Sequence, residues 1–287
     1  MPLILDRTKY DASYSGSSPL SIDFKGIIPE RVFGLSLLEI SHLKISADGV
    51  PCLLGDTCVV QGTTNDHCIE CHGDFSRVHW LGTEMGSGTM IVYGSIGRHA
   101  GQGMTGGQIT ITGNAGDWLA AELRGGMIHV EGNAGDNAAA ALPGSEYGVC
   151  GGRITIEGNA GHLAGARMRR GLLAIGGQCG VAAAFEFRAG TVIVIGKTGS
   201  HAALGMRRGS LISLSVPDEI SPLFRRGVRW EPTFLPALAQ SLQNSGFRSI
   251  EALKACLKQP WQQWHGDLLT GGRGEFLHPC GLEPANS

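Results

Sequence analysis

Ile109-Thr110-Ile111-Thr112-Gly113-Asn114-Ala115-Gly116 is followed nineteen residues later by Ile128-His129-Val130-Glu131-Gly132-Asn133-Ala134-Gly135, and after one longer step by Ile154-Thr155-Ile156-Glu157-Gly158-Asn159-Ala160-Gly161. A Gly-x-x-Gly signature opens at Gly94, Gly113, Gly132, Gly158, Gly177 and Gly196, in steps of 19, 19, 26, 19 and 19 residues. A sustained period of this length marks a repeat architecture, in which each unit buries its apolar face against the next.

Working outward, residues one period apart should lie above one another. One column reads Met90, Ile109, Ile128, Ile154, Leu173, Val192 and Leu211; another, two residues on, reads Val92, Ile111, Val130, Ile156, Ile175 and Val194. Thr110, His129, Thr155 and Ala174 fall between them, so the alternation has the period of two that places one face of a strand in a core. A third column, Met104, Leu123, Leu142, Met168, Phe187 and Met206, and a small-residue column, Ala100, Leu119, Ala138, Ala164, Ala183 and Ala202, fill the remaining interior. Glycines at the corners admit close approach or positive φ. Asn114, Asn133 and Asn159 share a corner that tolerates left-handed geometry and allows stacked asparagines to hydrogen-bond. The expected fold is all-β: a right-handed parallel β-helix of about 19-residue coils, three short strands per coil, with small terminal caps containing short helices. At about 4.8 Å per coil the six signatures span roughly 30 Å.

The expected organisation is an N-terminal cap over 1–50, a β-helix over 51–214 and a C-terminal capping and docking segment over 215–287. In the cap, Pro29 and Glu30 precede Leu35, Leu37, Leu38 and Ile40, a short-helix pattern. Cys58, Val60 and Gly62 resemble one irregular coil; Ile69, Cys71, Gly73 and Met85 resemble another. Beyond Leu214 the repeat stops. Pro217, Pro222, Pro232 and Pro236 bound an exit segment. Leu235, Leu238 and Leu242, then Ile250, Leu253 and Leu257, predict two amphipathic helices covering the far end of the column, the second opened by Ser249. The long step adds seven residues between Leu142 and Arg153, a bulge at one corner that serves either as a grip for a partner or as a plain surface loop.

Composition excludes several function classes. The net charge of −2 over 287 residues gives no bulk attraction to nucleic acid or membrane, and 45 glycines with a strict period mean corners rather than disorder. No signal peptide is visible between Met1 and Asp11, and no run approaches the roughly 18 apolar residues of a membrane span, so a cytoplasmic protein is expected. Of eight cysteines only Cys68 and Cys71 form a close pair, flanked by His67 and His72. Cys71 falls on an inward strand position, which favours an ordinary buried thiol over a metal ligand. Gly196-Lys197-Thr198-Gly199 sits at the same corner as the other signatures and is a turn, not a phosphate loop. No catalytic constellation stands out. The histidines His79, His99, His129, His162 and His201 are scattered, and each is expected at the surface.

One polar column rises above this background. Arg169, Arg188 and Arg207 stand one period apart, with Arg170 and Arg208 beside them and Arg225 and Arg226 further on. Like charges stacked without an intervening acid repel unless something lies across them. An anionic ligand or acidic partner surface and a solvated corner are both compatible with that spacing.

The repeated Gly-Asn-Ala-Gly, the Arg-Arg-Gly and Arg-Gly-Gly coil ends, the insertion Ala140-Ala141-Leu142-Pro143-Gly144, the opening Leu54-Gly55-Asp56 and the closing His265-Gly266-Asp267 with Gly272-Arg273-Gly274-Glu275 resemble the C-type subunit of formylmethanofuran dehydrogenase over roughly residues 50–280. The Pro-Gly insertion most resembles the version in the bacterial formyltransferase/hydrolase complex of methylotrophs; the C-terminal β-helix of glutamate synthase is a more distant likeness. The resemblance implies a right-handed β-helix without an active site or cofactor of its own. Its implied partners are a metal-dependent, amidohydrolase-like A-type subunit, a molybdopterin-enzyme-like B-type subunit and a formyltransferase D-type subunit. That complex moves a formyl group from tetrahydromethanopterin to methanofuran and releases formate, whereas the archaeal relative couples the transfer to carbon dioxide reduction by molybdenum or tungsten. Methanofuran carries glutamates, so the arginine column is a candidate contact for its tail. The competing readings are the redox dehydrogenase subunit, a self-standing β-helix enzyme and a glutamate-synthase-like structural domain.

Overall fold

A computed structural model describes residues 2–8, 21–215 and 220–281. Met1, the stretch 9–11 of the start segment and Pro217 lie outside the described residues. In chain order the strands are β1 (Leu3–Asp6), β2 (Ile22–Asp23), β3 (Lys44–Ala47), β4 (Val50–Leu53), β5 (Val59–Gln61), β6 (Cys68–His72), β7 (Val78–His79), β8 (Thr89–Tyr93), β9 (Gln108–Ile111) and β10 (Met127–Val130). They continue as β11 (Cys150–Ile156), β12 (Arg170–Ile175), β13 (Thr191–Val194), β14 (Arg208–Ser213), β15 (Arg225–Trp230), β16 (Trp261–Gly266) and β17 (Arg273–Pro279). Among the described residues the short α-helices are α1 (Pro29–Val32), α2 (Leu37–Ser41), α3 (Leu235–Asn244) and α4 (Ile250–Ala255). No helix among the described residues is long and apolar enough to cross a membrane.

The protein is mostly β, built on one large open sheet of thirteen described strands in the order β15-β16-β17-β14-β13-β12-β11-β10-β9-β8-β6-β1-β5. From β1 to β17 neighbouring strands run parallel, and from β8 to β14 the register follows the repeat: Ile109 pairs with Ile128, Ile128 with Ile154, Leu173 with Val192 and Val192 with Leu211. Parallel neighbours one unit apart require the chain to return to its starting edge each time. It does so past a second column of single bridges, Phe75–Ile96–Ala115–Ala134–Ala160–Cys179–Thr198. The two strand columns and the small-residue column are buried as the alternation requires: Ile109, Ile111, Ile128, Val130, Ala100, Leu119 and Ala138 are all at most 1% exposed.

The return path differs from the three strands per coil expected above. Trp80, His99, Trp118, Asn137, Leu163, Ala182 and His201, each one unit apart, all have φ between 58° and 63°. A non-glycine residue in this region costs about 1–2 kcal/mol. From Trp80 to Ala182 the cost is offset because each amide donates to the unit above, as from Trp80 N to Arg98 O (3.0 Å), His99 N to Asp117 O (2.9 Å) and Trp118 N to Asp136 O (2.8 Å). Two residues on, the amides donate to the unit below, as from Ala120 N to Ala100 O (2.8 Å) and Ala139 N to Leu119 O (2.7 Å). This face is a column of alternately left-handed backbone, stitched in both directions, and not a strand.

Of the corner roles expected, close approach at Gly132 and stacking of Asn114 on Asn133 are present, and left-handed geometry at these residues is not. Gly132 has no positive φ; a Cβ there would sit 2.5 Å from Asn114 Oδ1 and 2.6 Å from Gly113 O, so glycine is required by the approach of successive units. The asparagines are not left-handed either. Asn114 Oδ1 accepts from Asn133 N (2.8 Å) and Asn133 Nδ2 (3.1 Å), Asn133 Oδ1 accepts from Asn159 N (2.8 Å), and Asn159 Oδ1 accepts from Gln178 N (2.7 Å). Three positions further on a parallel ladder runs from Asp117 Oδ1 to Asp136 N, Asp136 Oδ1 to His162 N and His162 Nδ1 to Val181 N.

At both ends the stack is completed by segments distant in sequence. β1 lies parallel to β6, with Leu3 opposite Ile69 and Leu5 opposite Cys71; β5, read above as part of a coil, pairs antiparallel with β1 and forms one edge. Within the N-terminal 50 residues the helical pattern becomes two helices, α2 opening with a capping box of Ser36 and Glu39. At the other end β17 extends the parallel stack from β14, and β16 and β15 follow antiparallel. Helices α3 and α4 cover the sheet's outer face rather than its end. There Ala174, Ile193, Ile212 and Leu277 form a second core with Leu235, Ala239, Leu242, Phe247, Ile250, Leu253 and Trp261. Glu157 anchors this layer by accepting from Arg248 N, Ser249 N and Ser249 Oγ.

Candidate functional site

The seven-residue excess is Leu142–Gly148. Ala141 still keeps the repeat, its amide donating to Ala166 O (3.1 Å). The buried position of the third column falls to Val149, 0% exposed, between Leu123 and Met168; Leu142, assigned to that column above, is displaced from it. The backbone agrees: Cys150 N donates to Leu123 O (2.7 Å) and Arg169 N to Val149 O (2.8 Å).

The insertion folds back on the arginines. Met168, Phe187 and Met206 point inward, so the next residues, Arg169, Arg188 and Arg207, point out. Tyr147 places its ring against two of them, with Arg169 Cζ 4.7 Å and Arg188 Cζ 5.9 Å from the centroid. The negative face of the ring thus lies beside two of the three stacked arginines and eases their like-charge repulsion. Glu146 hydrogen-bonds the Tyr147 hydroxyl and, with its charge, pushes the phenol's pKa up. Arg167 fastens the loop: its Nη1 donates to Ser145 O (3.1 Å), its Nε to Glu186 Oε2 (2.7 Å), and its carbonyl accepts from Gly148 N (2.9 Å).

Arg207 is exposed and stands apart from Tyr147, and Arg170 and Arg208 are exposed at the starts of β12 and β14. Arg208 lies directly opposite Arg273 of β17. The structure therefore brings Arg169 and Arg188 together at one aromatic residue and distributes the others along a basic margin. Between residues 163 and 230 the chain holds ten arginines and lysines against three acids, although its net charge is −2. Tyr147, Arg167 and Arg273 were missed as members of this margin. The period itself contained the signal for Arg167, whose pairing partner Glu186 stands one unit on.

Cys71 is fully buried, and burial pushes the thiols of Cys58 and Cys179 up to about 12. Among the described residues no group of three or more His, Cys, Asp or Glu side chains is placed to hold a metal. His67 stacks on Phe33 and His72 meets Glu70 at 3.1 Å. His79, expected at the surface, is 6% exposed; its Nδ1 accepts from Arg98 N (2.9 Å), and burial lowers its pKa. His99 is stacked between Trp80 and Trp118 at 5.2 and 6.1 Å. His129 meets Thr155 Oγ1 at 2.8 Å beside a 230 Å³ cavity under the end of α3.

Fold and site together define a repeat-built, mostly β protein whose distinctive surface is a margin of arginines. No family model and no curated protein matches the chain. Among solved structures it is similar to a chain in the X-ray crystal structure of the formyltransferase/hydrolase complex (FhcABCD) from Methylorubrum extorquens in complex with methylofuran. The two share 32% identity over 98% of this chain and 100% of that one, with a TM-score of 0.85. At that identity over essentially its whole length, the chain belongs to the family of formyltransferase/hydrolase-complex subunits.

Proposed function

We propose that the chain is the C-type subunit of such a complex, a right-handed parallel β-helix that performs no chemistry itself and holds the catalytic subunits in place in the cytoplasm. The observation that carries this reading is the end-to-end match to one chain of a four-subunit assembly. The repeat body, residues 51–214, is filled by its own side chains, and segments 1–50 and 215–287 supply caps and docking surfaces. The assembly would move a formyl group from tetrahydromethanopterin to methanofuran and release formate, with metal held by the partners. Those partners would be an amidohydrolase-like subunit, a molybdopterin-enzyme-like subunit and a formyltransferase. The exposed residues Arg169, Arg170, Arg207 and Arg208, with Arg188, meet an acidic partner surface or the glutamate tail of methanofuran.

Affinity purification of the tagged chain from its native host tests this. The expected result is co-purification of three further polypeptides with formyl-transfer activity, and no activity in the chain alone. A lone polypeptide that turns over a substrate would overturn it. Molybdenum or tungsten with a redox activity in the assembly would replace the hydrolytic reading by the dehydrogenase one.

A further inference from the structure

We propose that the free edge of β15 is a docking strip for an acidic, extended segment of a partner subunit, added as a further strand of the large sheet. This rests on the reading of the chain as a member of a multi-subunit complex.

β15 is the terminal strand on its side of the sheet, paired only with β16; beyond that ladder, among the described residues, its backbone takes one side-chain bond, from Gln262 Nε2 to Gly227 O (3.0 Å). Such an edge presents a row of unpaired amides and carbonyls to any chain that can lie alongside. Its side chains specify which chain. Arg225, Arg226 and Arg229 are exposed, and among the described residues none has a carboxylate within ion-pair distance. Arg226 Nε and Arg229 Nε both donate to Gln262 Oε1, at 3.0 and 3.2 Å, so one amide of the neighbouring strand tethers two otherwise exposed guanidinium groups side by side. Arginines fixed in this way lose little freedom on meeting carboxylates. Val228, 63% exposed between them, adds an apolar contact.

The charge also selects among occupants. A second copy pairing edge to edge would set three arginines against three, a repulsive arrangement. The bulge between Arg226 and Arg229 and the charges are devices by which edges resist indiscriminate pairing, yet they leave one partner favoured, a strand carrying acids.

The test uses the full chain expressed with its partner subunits. In the assembled complex the amides of 225–230 should exchange hydrogen more slowly than in the isolated chain. A variant with Arg225→Lys, Arg226→Lys and Arg229→Lys should assemble normally and give carbodiimide cross-links to aspartates or glutamates of one partner segment. Arg225→Glu, Arg226→Glu and Arg229→Glu together should reduce assembly by about tenfold or more, while the isolated variant still folds and melts cooperatively, lowered only by the loss of the two hydrogen bonds to Gln262 Oε1. Unchanged exchange at 225–230, undiminished assembly of the glutamate variant, or cross-links to a second copy of this chain would each overturn the proposal while leaving complex membership intact. If the unaltered chain captures no partner at all, the reading beneath it fails first.

Discussion

Replacing Ile128 by alanine removes three carbons from the middle of the stack. At about 0.8 kcal/mol per buried methylene the transfer term is about 2.4 kcal/mol. The cavity left behind raises it, and here the walls have little room to collapse. A Cβ on Gly101 would lie 2.3 Å from Ile128 Cδ1, so the chain opposite is bare backbone already at contact. The expected loss is about 3–4 kcal/mol, inside the range for buried isoleucine truncation. Met127, one residue earlier and 41% exposed, should cost no more than about 0.5 kcal/mol on the same substitution. Urea unfolding followed by circular dichroism measures both. The paired variant Ile109→Ala/Ile128→Ala extends the test, because side chains stacked in one column share a cavity and should show about 0.5 kcal/mol or more of coupling. Ile109 and Leu211, five units or roughly 24 Å apart, should be additive. Equal losses at 127 and 128, or strong coupling between 109 and 211 with none between 109 and 128, would refute the stacked arrangement.

Other consequences can be measured independently. Deleting Leu142–Gly148 joins Ala141 to Val149 and restores a uniform period, so the chain should still fold and melt within a few degrees of the parent, whereas deleting six or eight residues should shift every later strand by one register and abolish cooperative melting. Gly132→Ala drives a methyl onto Gly113 O and Asn114 Oδ1 and should cost about 1–3 kcal/mol in chemical denaturation. His79, His99, His129 and His278 all have pKa values held below 6.5 chiefly by burial, so the unfolded chain takes up protons that the native one refuses. Thermal stability should be level from pH 6.5 to about 8, below the range where unfolded thiols ionise, and fall as pH drops from 6.5 through the native histidine values; a flat profile down to pH 5 would remove the burial argument. At pH 8 a thiol reagent should modify Cys68, Cys150 and Cys280, which are partly exposed, well before Cys58, Cys71 and Cys179.

The repeat body was readable because each inward column stays apolar from unit to unit: Ile109, Ile128 and Ile154 are both the period and the core. The outer helices left a trace in the same pattern. Thr110, His129 and Thr155 give way to Ala174, Ile193 and Ile212 where α3 and α4 lie across the sheet, so the alternation ends where the second core begins. Other features were opaque for physical reasons. Left-handed backbone at Trp118 or Ala182 carries no local signal, because neither residue prefers it and only hydrogen bonds to adjacent units hold it there. The sheet positions of β1 and β17 depend on contacts some sixty residues away in sequence. The insertion's boundary was misjudged because Leu142 and Val149 are equally apolar, and packing alone decides between them. At the arginine column the spacing revealed the charges but not Tyr147, since a loop that folds back leaves no period.

The left-handed column carries its own implication. From Trp80 to Ala182 the left-handed residues' amides are held by the next layer and their carbonyls by amides three residues on in their own, so the side chains are released from any duty in shaping the chain. Trp80, Asn137, Leu163 and His201 occupy one geometric slot with unrelated chemistries. A surface of this kind works as a type rack, with the pitch between characters set by hydrogen bonds and the characters themselves interchangeable. A lineage could rewrite what that side displays, one letter at a time, while the spacing seen by anything resting on it stays the same.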